Sequence, residues 1–440
     1  MTRGLRKFGR FGRLRRYTSS VLRSVPIFGF LVFLSFLPEA SAAGPLTYRY
    51  AHHIFTVGAR EVGSWQSPGE EWTYHGRPYL PVSALRVYGD AIPPLPNGVV
   101  RTVVLMWNRE AIKASLSARI SAVLDREPGT VTIRGSTSDD ITFDGVGFPG
   151  RSVDLDALAL LTEEALRTNV VDIMIPVHET QPTVTVEDPT LRAAVVRELV
   201  AFGESNFAGS PVNRRHNIAV GLRRFDGHRI ARGEMFSFVD VLGPVDGSTG
   251  YRRELVIKGD RTEPDYGGGL CQVSTTAYRG VWEYGFPITE RKNHSYAVRY
   301  YGPYGTDATT YLPRPDMRFT NDSPGDLVIQ TNIEGDDAYF LYYGTKDARE
   351  TDVIGPYIWG MTKAPPLRTE YTLDLPPGEK RVLGHAVPGL RAAWYRIVRR
   401  DGTEDIEAYI SIYEARPDFV QIGVESLPTG SGATTETPAI

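Results

Sequence analysis

Apolar positions in the first half of the chain recur at helical spacing. Ile112, Leu116, Ile120 and Leu124 follow the N-cap residue Asn108 and stop before Pro128, which predicts a helix. A second helix follows Ser152 or Asp154, with Leu155, Leu158 and Leu161 on one face. A third has Asp188 as N-cap, Pro189 at the first helical position and Gly203 just past its end. Between the last two lies an apolar run of strand length, 170–177. From about 206 the texture changes: Gly and Tyr become frequent, turns are dense, and one helical signal stands out, Val273, Ala277 and Val281, closed by Gly285. Two strands, 327–332 and 339–343, are split by the turn 334–337. Residues 361–366 read as a linker. From 367 to 425 apolar and polar residues alternate, as in 371–375, 393–398 and 408–413, the period of antiparallel strands. The predicted fold class is α+β and multidomain: mainly antiparallel sheets with a few helices, and a small all-β C-terminal domain.

The two ends of the chain read differently. Residues 1–24 carry eight basic residues and no acidic one, followed by an apolar run from Pro26 to Leu37, Pro38 and the small residues Ala40-Ser41-Ala42-Ala43. A basic segment, an apolar stretch of about a dozen residues and an A-x-A site predict a cleaved secretory signal over 1–42. Spanning a bilayer takes about twenty apolar residues, so an anchor is the weaker reading. The expected location is extracytoplasmic, secreted or associated with the wall or membrane. Membrane contact is expected only through 1–42 if that segment stays uncleaved. The tail 426–440, rich in Ser, Thr, Gly and Pro, reads as disordered.

Composition sharpens this picture in two places. Lys+Arg is 49 against Asp+Glu 52, a net charge of −3. This offers no basic field for nucleic acid. Residues 1–42 hold eight basic residues and one acidic, so taking their net +7 away from −3 leaves the remainder at −10, and it would need shaped sites to bind an anionic wall polymer. The single cysteine, Cys271, excludes an internal disulfide and any multi-cysteine metal site. No His/Asp/Glu set has metal-ligand spacing, so neither a metal nor another cofactor is expected.

Cys271 sits in Gly267-Gly268-Gly269-Leu270-Cys271-Gln272-Val273-Ser274, a glycine turn entering the predicted helix. Unpaired N–H groups and the positive dipole end there stabilise a thiolate and can receive the oxygen of a tetrahedral intermediate. Among eight histidines, His294 lies ahead of a strand-like segment and of Asp307. Cys271, His294 and Asp307 would form a nucleophile–base–orienter set. Sequence order leaves open whether they meet. The other reading of Cys271 is a small buried residue, and of His294 and Asp307 a structural pair pinning a loop. Tyr300, Tyr301, Tyr304, Tyr311 and Trp282 could line a groove or fill a core.

Several motifs in order resemble the VanW family. They are Asn213-Arg214-Arg215-His216-Asn217-Ile218, Gly233-Glu234-Met235-Phe236-Ser237-Phe238, the glycine–cysteine signature 267–276, Glu290-Arg291 with His294-Ser295, and Gly305-Thr306-Asp307-Ala308-Thr309. Val239 and Arg232 depart from residues usual in that family. The resemblance implies a domain at 206–360 acting on peptidoglycan stem peptides, with Cys271 as nucleophile of an L,D-transpeptidase and His294 as base. Arg214 or Arg291 would grip a substrate carboxylate, Gln272 and Ser274 would donate near the oxyanion, and Gly268 and Gly269 would shape the approach. Residues 43–205 are similar in 147–154 and 175–176 to a peptidoglycan-binding domain of exported wall proteins, the alternative being a spacer in which Arg151 and Asp154 fix a turn and a cap. Residues 361–425, with Gly378, Gly384, Gly389, Gly402 and Gly423, resemble a five-glycine domain. Three function classes stay open: a wall acyl-transfer enzyme, a non-catalytic peptidoglycan-binding protein, and a structural surface protein.

Overall fold

The computed structural model describes residues 44–79, 96–135, 141–258 and 261–427. The expected signal segment and nearly all of the expected tail lie outside these residues. Strands in small, mostly antiparallel sheets dominate, with few helices, an α+β chain. No helix among the described residues is long and apolar enough to cross a membrane.

The centre is a four-stranded antiparallel sheet in the order Glu198–Asn206, Asp337–Gly344, Leu327–Glu334, Arg229–Ile230. One face carries the helix Leu270–Tyr284, whose Val273, Ala277, Tyr278, Val281 and Trp282 are fully buried with Ala201, Ile329, Phe340 and Tyr342. The opposite face packs on a three-stranded sheet, Thr183–Val186, Thr130–Gly135 and Ile141–Val146, through Val131, Ile133, Leu199, Leu341 and Tyr343.

Helix and sheet approach until their backbones touch. A Cβ on Gly203 would lie 2.1 Å from the Thr276 carbonyl oxygen, and one on Gly280 would lie 2.7 Å from the Gly203 nitrogen. This corrects the sequence expectation for 188–203. Asp188 does cap a helix, accepting from Thr190 and Leu191 N–H at 2.7 and 2.9 Å, but that helix spans only Pro189–Ala193. Glu198–Asn206 is a strand, and Gly203 serves close packing rather than helix termination. A strand buried on both faces reads as a continuous apolar run, which periodicity does not separate from a buried helix.

The first predicted helix is present with all four spaced residues fully buried; it runs Arg109–Leu116, passes through a wider turn at Ser117–Ser121 and ends at Leu124. The second, Leu155–Thr168, buries Leu158, Ala159, Thr162 and Ala165, whereas Leu161 is exposed. Asp154 caps it by accepting from Ala157 N–H at 2.9 Å. The run 170–177 divides into Asp172–Met174 and the start of Val177–Thr180, which belong to different sheets. Together these helices cover the sheet His53–Val57, Leu46–Tyr50, Asp172–Met174. Residues 70–104 form a separate compact unit; its described part contains the ends of strands Gln66–Tyr74 and Val99–Trp107 and the short strand Arg77–Pro78.

The C-terminal region holds two three-stranded sheets. One is Glu350–Thr362, Gly389–Arg400, Thr403–Tyr413; the other is Arg368–Thr372, Phe419–Gly423, Lys380–Gly384. Met361 and Thr362, read as linker, are the last residues of the first strand. The first sheet backs onto the helix Leu270–Tyr284. Trp394 meets Trp282 edge-on at 5.5 Å, and Arg396 donates to the carbonyls of Trp282 and Phe286 at 3.2 and 2.7 Å. A guanidinium there satisfies carbonyls that the helix end leaves open.

Candidate active site

The glycine turn is built to start a helix under the cysteine. The hairpin strands Arg253–Lys258 and Arg261–Tyr266 lead into it. Gly269, the N-cap, has φ +116°, and a Cβ there would press on Ile218 and Arg214 at 3.0–3.1 Å. Buried Asn217 holds the turn by donating to the carbonyls of Gly268 (3.0 Å) and Arg252 (2.9 Å), while its own oxygen accepts from Arg252 N–H at 2.8 Å. Cys271 follows in the first turn of the helix and is half-buried, its Sγ 3.4 Å from Thr309 Oγ1 and 3.6 Å from the Thr310 carbonyl.

The structure brings His294 and Asp307 to this thiol. His294 is 3% exposed. Asp307 Oδ2 accepts from its backbone N–H at 2.8 Å and pairs with Nδ1 at 2.6 Å. Tyr301 stacks on the imidazole, ring centroids 4.2 Å apart and planes 11° from parallel. The second ring nitrogen, Nε2, is buried without a hydrogen-bond partner of standard geometry. Thiol and ring nevertheless lie close enough to govern each other's protons. Burial pushes the Cys271 thiol up, but His294 beside it outweighs this and brings it from 9.0 down to about 7. Burial likewise depresses His294, yet the bonds to Asp307 and Cys271 raise it to about 9. Asp307 is held well below the usual carboxylate range despite its burial, first by His294 and then by Arg291. Around pH 8 the favoured state is therefore thiolate beside imidazolium, the reactive form of a cysteine.

The remaining sequence candidates fall into two groups. Gln272 is fully buried, its oxygen accepting from Arg214 Nη2 at 3.0 Å and its nitrogen donating to the Asn206 carbonyl at 3.4 Å. Ser274 is buried with its hydroxyl unpaired. Arg291 is taken up inside the site: it donates to the Asp307 carbonyl (2.7 Å), Asp307 Oδ1 (3.3 Å), the Gly305 carbonyl (3.0 Å) and Ser411 Oγ (2.9 Å). Gly268 is crowded, since a Cβ would sit 2.8 Å from the Leu255 carbonyl oxygen. Arg214 differs from all of these. It is 7% exposed, touches Ser210, Gln272 and Tyr301 Oη (3.4 Å), lies over the Tyr300 ring at 4.3 Å, and has no carboxylate partner among the described residues. Of the aromatics, Trp282 and Tyr301 are buried, while Tyr300, Tyr304 and Tyr311 are exposed.

Sequence reading missed three contributors. Thr309 and Thr310 contact the sulfur; they carried no chemical signal of their own. Tyr413 donates its hydroxyl to Asp307 Oδ1 from a strand 106 positions later in the chain. A second histidine cluster was also missed. His52, His53 and Glu204 bring ligand-capable atoms within 4.8 Å of one another. Arg151 already occupies both oxygens of Glu204 at 2.6 and 3.1 Å, and Arg126 approaches at 3.5 Å, so the cluster is a charge-compensated brace and does not fit a divalent cation.

Comparison with known proteins places the region around this site. A protein of Bacillus subtilis (strain 168), described as the uncharacterized protein YoaR, is 31% identical over 179 residues, covering 40% of this chain and 56% of that relative. This chain thus spans just over half of the relative's length. A solved structure described as "Crystal structure of HP0197-G5" aligns at 17% identity over 18% of this chain and 100% of its own, with a TM-score of 0.09. The family described as "VanW like protein" matches residues 213–343, which contain the thiol, the imidazole and the carboxylate. Over these residues the chain is similar to the VanW family, and it carries a VanW-like domain there.

Proposed function

We propose that this chain is an exported cell-wall protein whose Cys271 carries out acyl transfer on peptidoglycan stem peptides, as a cysteine L,D-transpeptidase. The observation that carries the reading is the buried His294, one nitrogen fixed on Asp307 and the other free beside the only cysteine, at a helix start.

In the first half-reaction the Cys271 thiolate attacks the carbonyl carbon between the third stem residue and the terminal D-alanine. The oxygen takes the negative charge, and the Cys271 N–H in the first helical turn is the donor that receives it, since those of Leu270 and Gln272 already bond the Gly267 and Gly269 carbonyls. The C–N bond breaks, the His294 imidazolium gives its proton to the departing D-alanine amine, and a thioester remains on Cys271. In the second half an acceptor side-chain amine attacks the thioester and loses its proton to neutral His294. The C–S bond breaks and thiolate and imidazolium are restored. Water in place of the amine gives D-alanine trimming. Arg214, a buried cation lacking an anionic partner among the described residues, supplies the anchor for the substrate carboxylate. The flanking regions 43–205 and 361–425 belong to this reading as wall-binding modules.

The test is incubation of the purified chain with tetrapeptide muropeptides, following free D-alanine and the intact protein mass. The expected result is D-alanine release with an acyl adduct on Cys271, both abolished in Cys271→Ala. Release that survives Cys271→Ala overturns the mechanism. Saturable binding with neither release nor adduct makes the chain a peptidoglycan-binding protein instead.

A further inference from the structure

We propose that Tyr413, on the C-terminal sheet, is a positioning residue of the Cys271 site, locking the Asp307 carboxylate that orients His294. The proposal rests on the reading of Cys271, His294 and Asp307 as a working nucleophile, base and orienter. It does not depend on which acyl donor the site takes.

A carboxylate has about four lone-pair positions. At Asp307 they are divided: Oδ2 serves the Nδ1 and backbone N–H of His294, and Oδ1 serves the Tyr413 hydroxyl and Arg291. The Arg291 contact at Oδ1 is long, 3.3 Å, so the tyrosine is the main restraint on that oxygen. Without it the carboxylate can turn about its Cβ–Cγ bond and carry Oδ2 away from the imidazole. The same hydroxyl accepts from Gly305 N–H at 2.7 Å, which fixes the loop two residues before Asp307. Tyr413 is 4% exposed, and burial together with Asp307 pushes its phenol pKa up, so it donates its proton as a hydrogen bond and never competes for ionisation.

The tyrosine does not act as an isolated contact. Ser411 accepts from Arg291, the Ile412 carbonyl accepts from Asn293 at 2.8 Å, and Glu414 N–H donates to the Ser295 carbonyl at 2.7 Å. Trp394 Nε1 donates to the Tyr304 carbonyl at 2.8 Å. The strand Thr403–Tyr413 thus holds the loop that carries both His294 and Asp307, and the C-terminal sheet completes the site instead of merely tethering it.

Because the chain has one cysteine, iodoacetamide labelling of the full chain reports Cys271 alone. Its rate is measured from pH 5.5 to 10 for the wild type, Tyr413→Phe, Ser411→Ala and Tyr409→Phe. Tyr409 is four residues before Tyr413 on the same strand, but its hydroxyl bonds Glu407 at 2.8 Å, outside the site. In Tyr413→Phe the acid limb is expected to move upward from about 7. A rise to about 8 lowers the thiolate fraction at pH 7 about fivefold. The rates converge with wild type near pH 10, where the thiol is ionised without help. Ser411→Ala should shift the limb in the same direction by less, and Tyr409→Phe should leave it in place. A Tyr413→Phe profile that overlays wild type, or that is lowered equally at every pH, overturns the proposal. If labelling follows the expected pattern while no muropeptide is turned over, the positioning role stands and the transpeptidase reading falls.

Discussion

The helix Leu270–Tyr284 has a buried histidine–carboxylate arrangement near each end, and the two behave oppositely. Near its start, His294 and Asp307 leave one imidazole nitrogen unpaired beside a thiol, and His294 is raised to about 9. Near its end, His52 pairs with Glu283 at 2.6 Å and His53 with Glu204 at 2.8 Å, yet burial and the neighbouring guanidinium of Arg279 lower His52 to about 3. Burial raises Glu283 to about 7. Glu204, which burial alone would raise, is held well below the usual range by His53 and Arg151. Each end pairs a histidine with a carboxylate, Asp307 at one and Glu283 or Glu204 at the other, and each carries an arginine nearby. What differs is the company of the imidazole: a thiol able to give up its proton at one end, and at the other burial and the positive charges of Arg279 and Arg151 with no acid to answer them. A histidine beside a carboxylate becomes a base only when its second nitrogen has chemistry to do.

The largest effect that would test this contrast is on His294→Gln. Acyl transfer should fall about 10²–10⁴-fold, the usual worth of a positioned base. The wild-type pH–activity curve should rise through about 7 as Cys271 ionises and fall through about 9 as His294 loses its proton. In the variant only the Thr309 and Thr310 contacts offset burial, so the acid limb should move upward from about 7. A limb that stays near 7 would mean that another group activates the thiol.

Arg151→Met probes the other end. Removing the guanidinium leaves Glu204 without its closest cation, a cost of about 3–5 kcal/mol in unfolding free energy, measured by denaturant titration. Burial, His52 and Arg151 together hold His53 low. Without Arg151 its folded pKa rises, and a raised histidine pKa adds stability at low pH that is lost as pH increases. The deficit should therefore be smaller at pH 5 than at pH 8. Cys271 labelling should be unchanged at both; a shifted labelling profile would mean that the two ends are coupled. Smallest of all, His53→Gln keeps a donor for Glu204 and should cost about 1 kcal/mol. A loss as large as that of Arg151→Met would show that the histidine, and not the arginine, holds the brace together.

The sequence reached the trio of the candidate site because each member carries a signal that survives linear reading: a lone thiol after three glycines, and a histidine and an aspartate in polar loops between structured segments. It did not reach Tyr413, since a hydroxyl-bearing aromatic in an alternating strand looks like its neighbours until the strand is placed in space. Arg291 is one of two arginines, with Arg214, that the family resemblance offers for a substrate carboxylate, and its guanidinium is instead used up on Asp307, Gly305 and Ser411. The segment 198–202 falls inside the helix predicted after Asp188 because both faces of that strand are covered, and double burial erases the alternation that marks strands. His52 and His53, adjacent in sequence, showed no partner because Glu204 and Glu283 arrive from elements 151 and 231 positions away.

The backbone contact between Gly203 and Gly280 also sets a mechanical tolerance. Gly280 lies nine residues beyond Cys271, about 13.5 Å along a helix rising 1.5 Å per residue. With that contact as fulcrum, a tilt of about 5° displaces the sulfur by about 1 Å, twice the roughly 0.5 Å within which a reacting constellation must be held. Adding one methyl group at the fulcrum would act on the thiol through a rigid lever, so the aim of the sulfur is set by two residues that have no side chain.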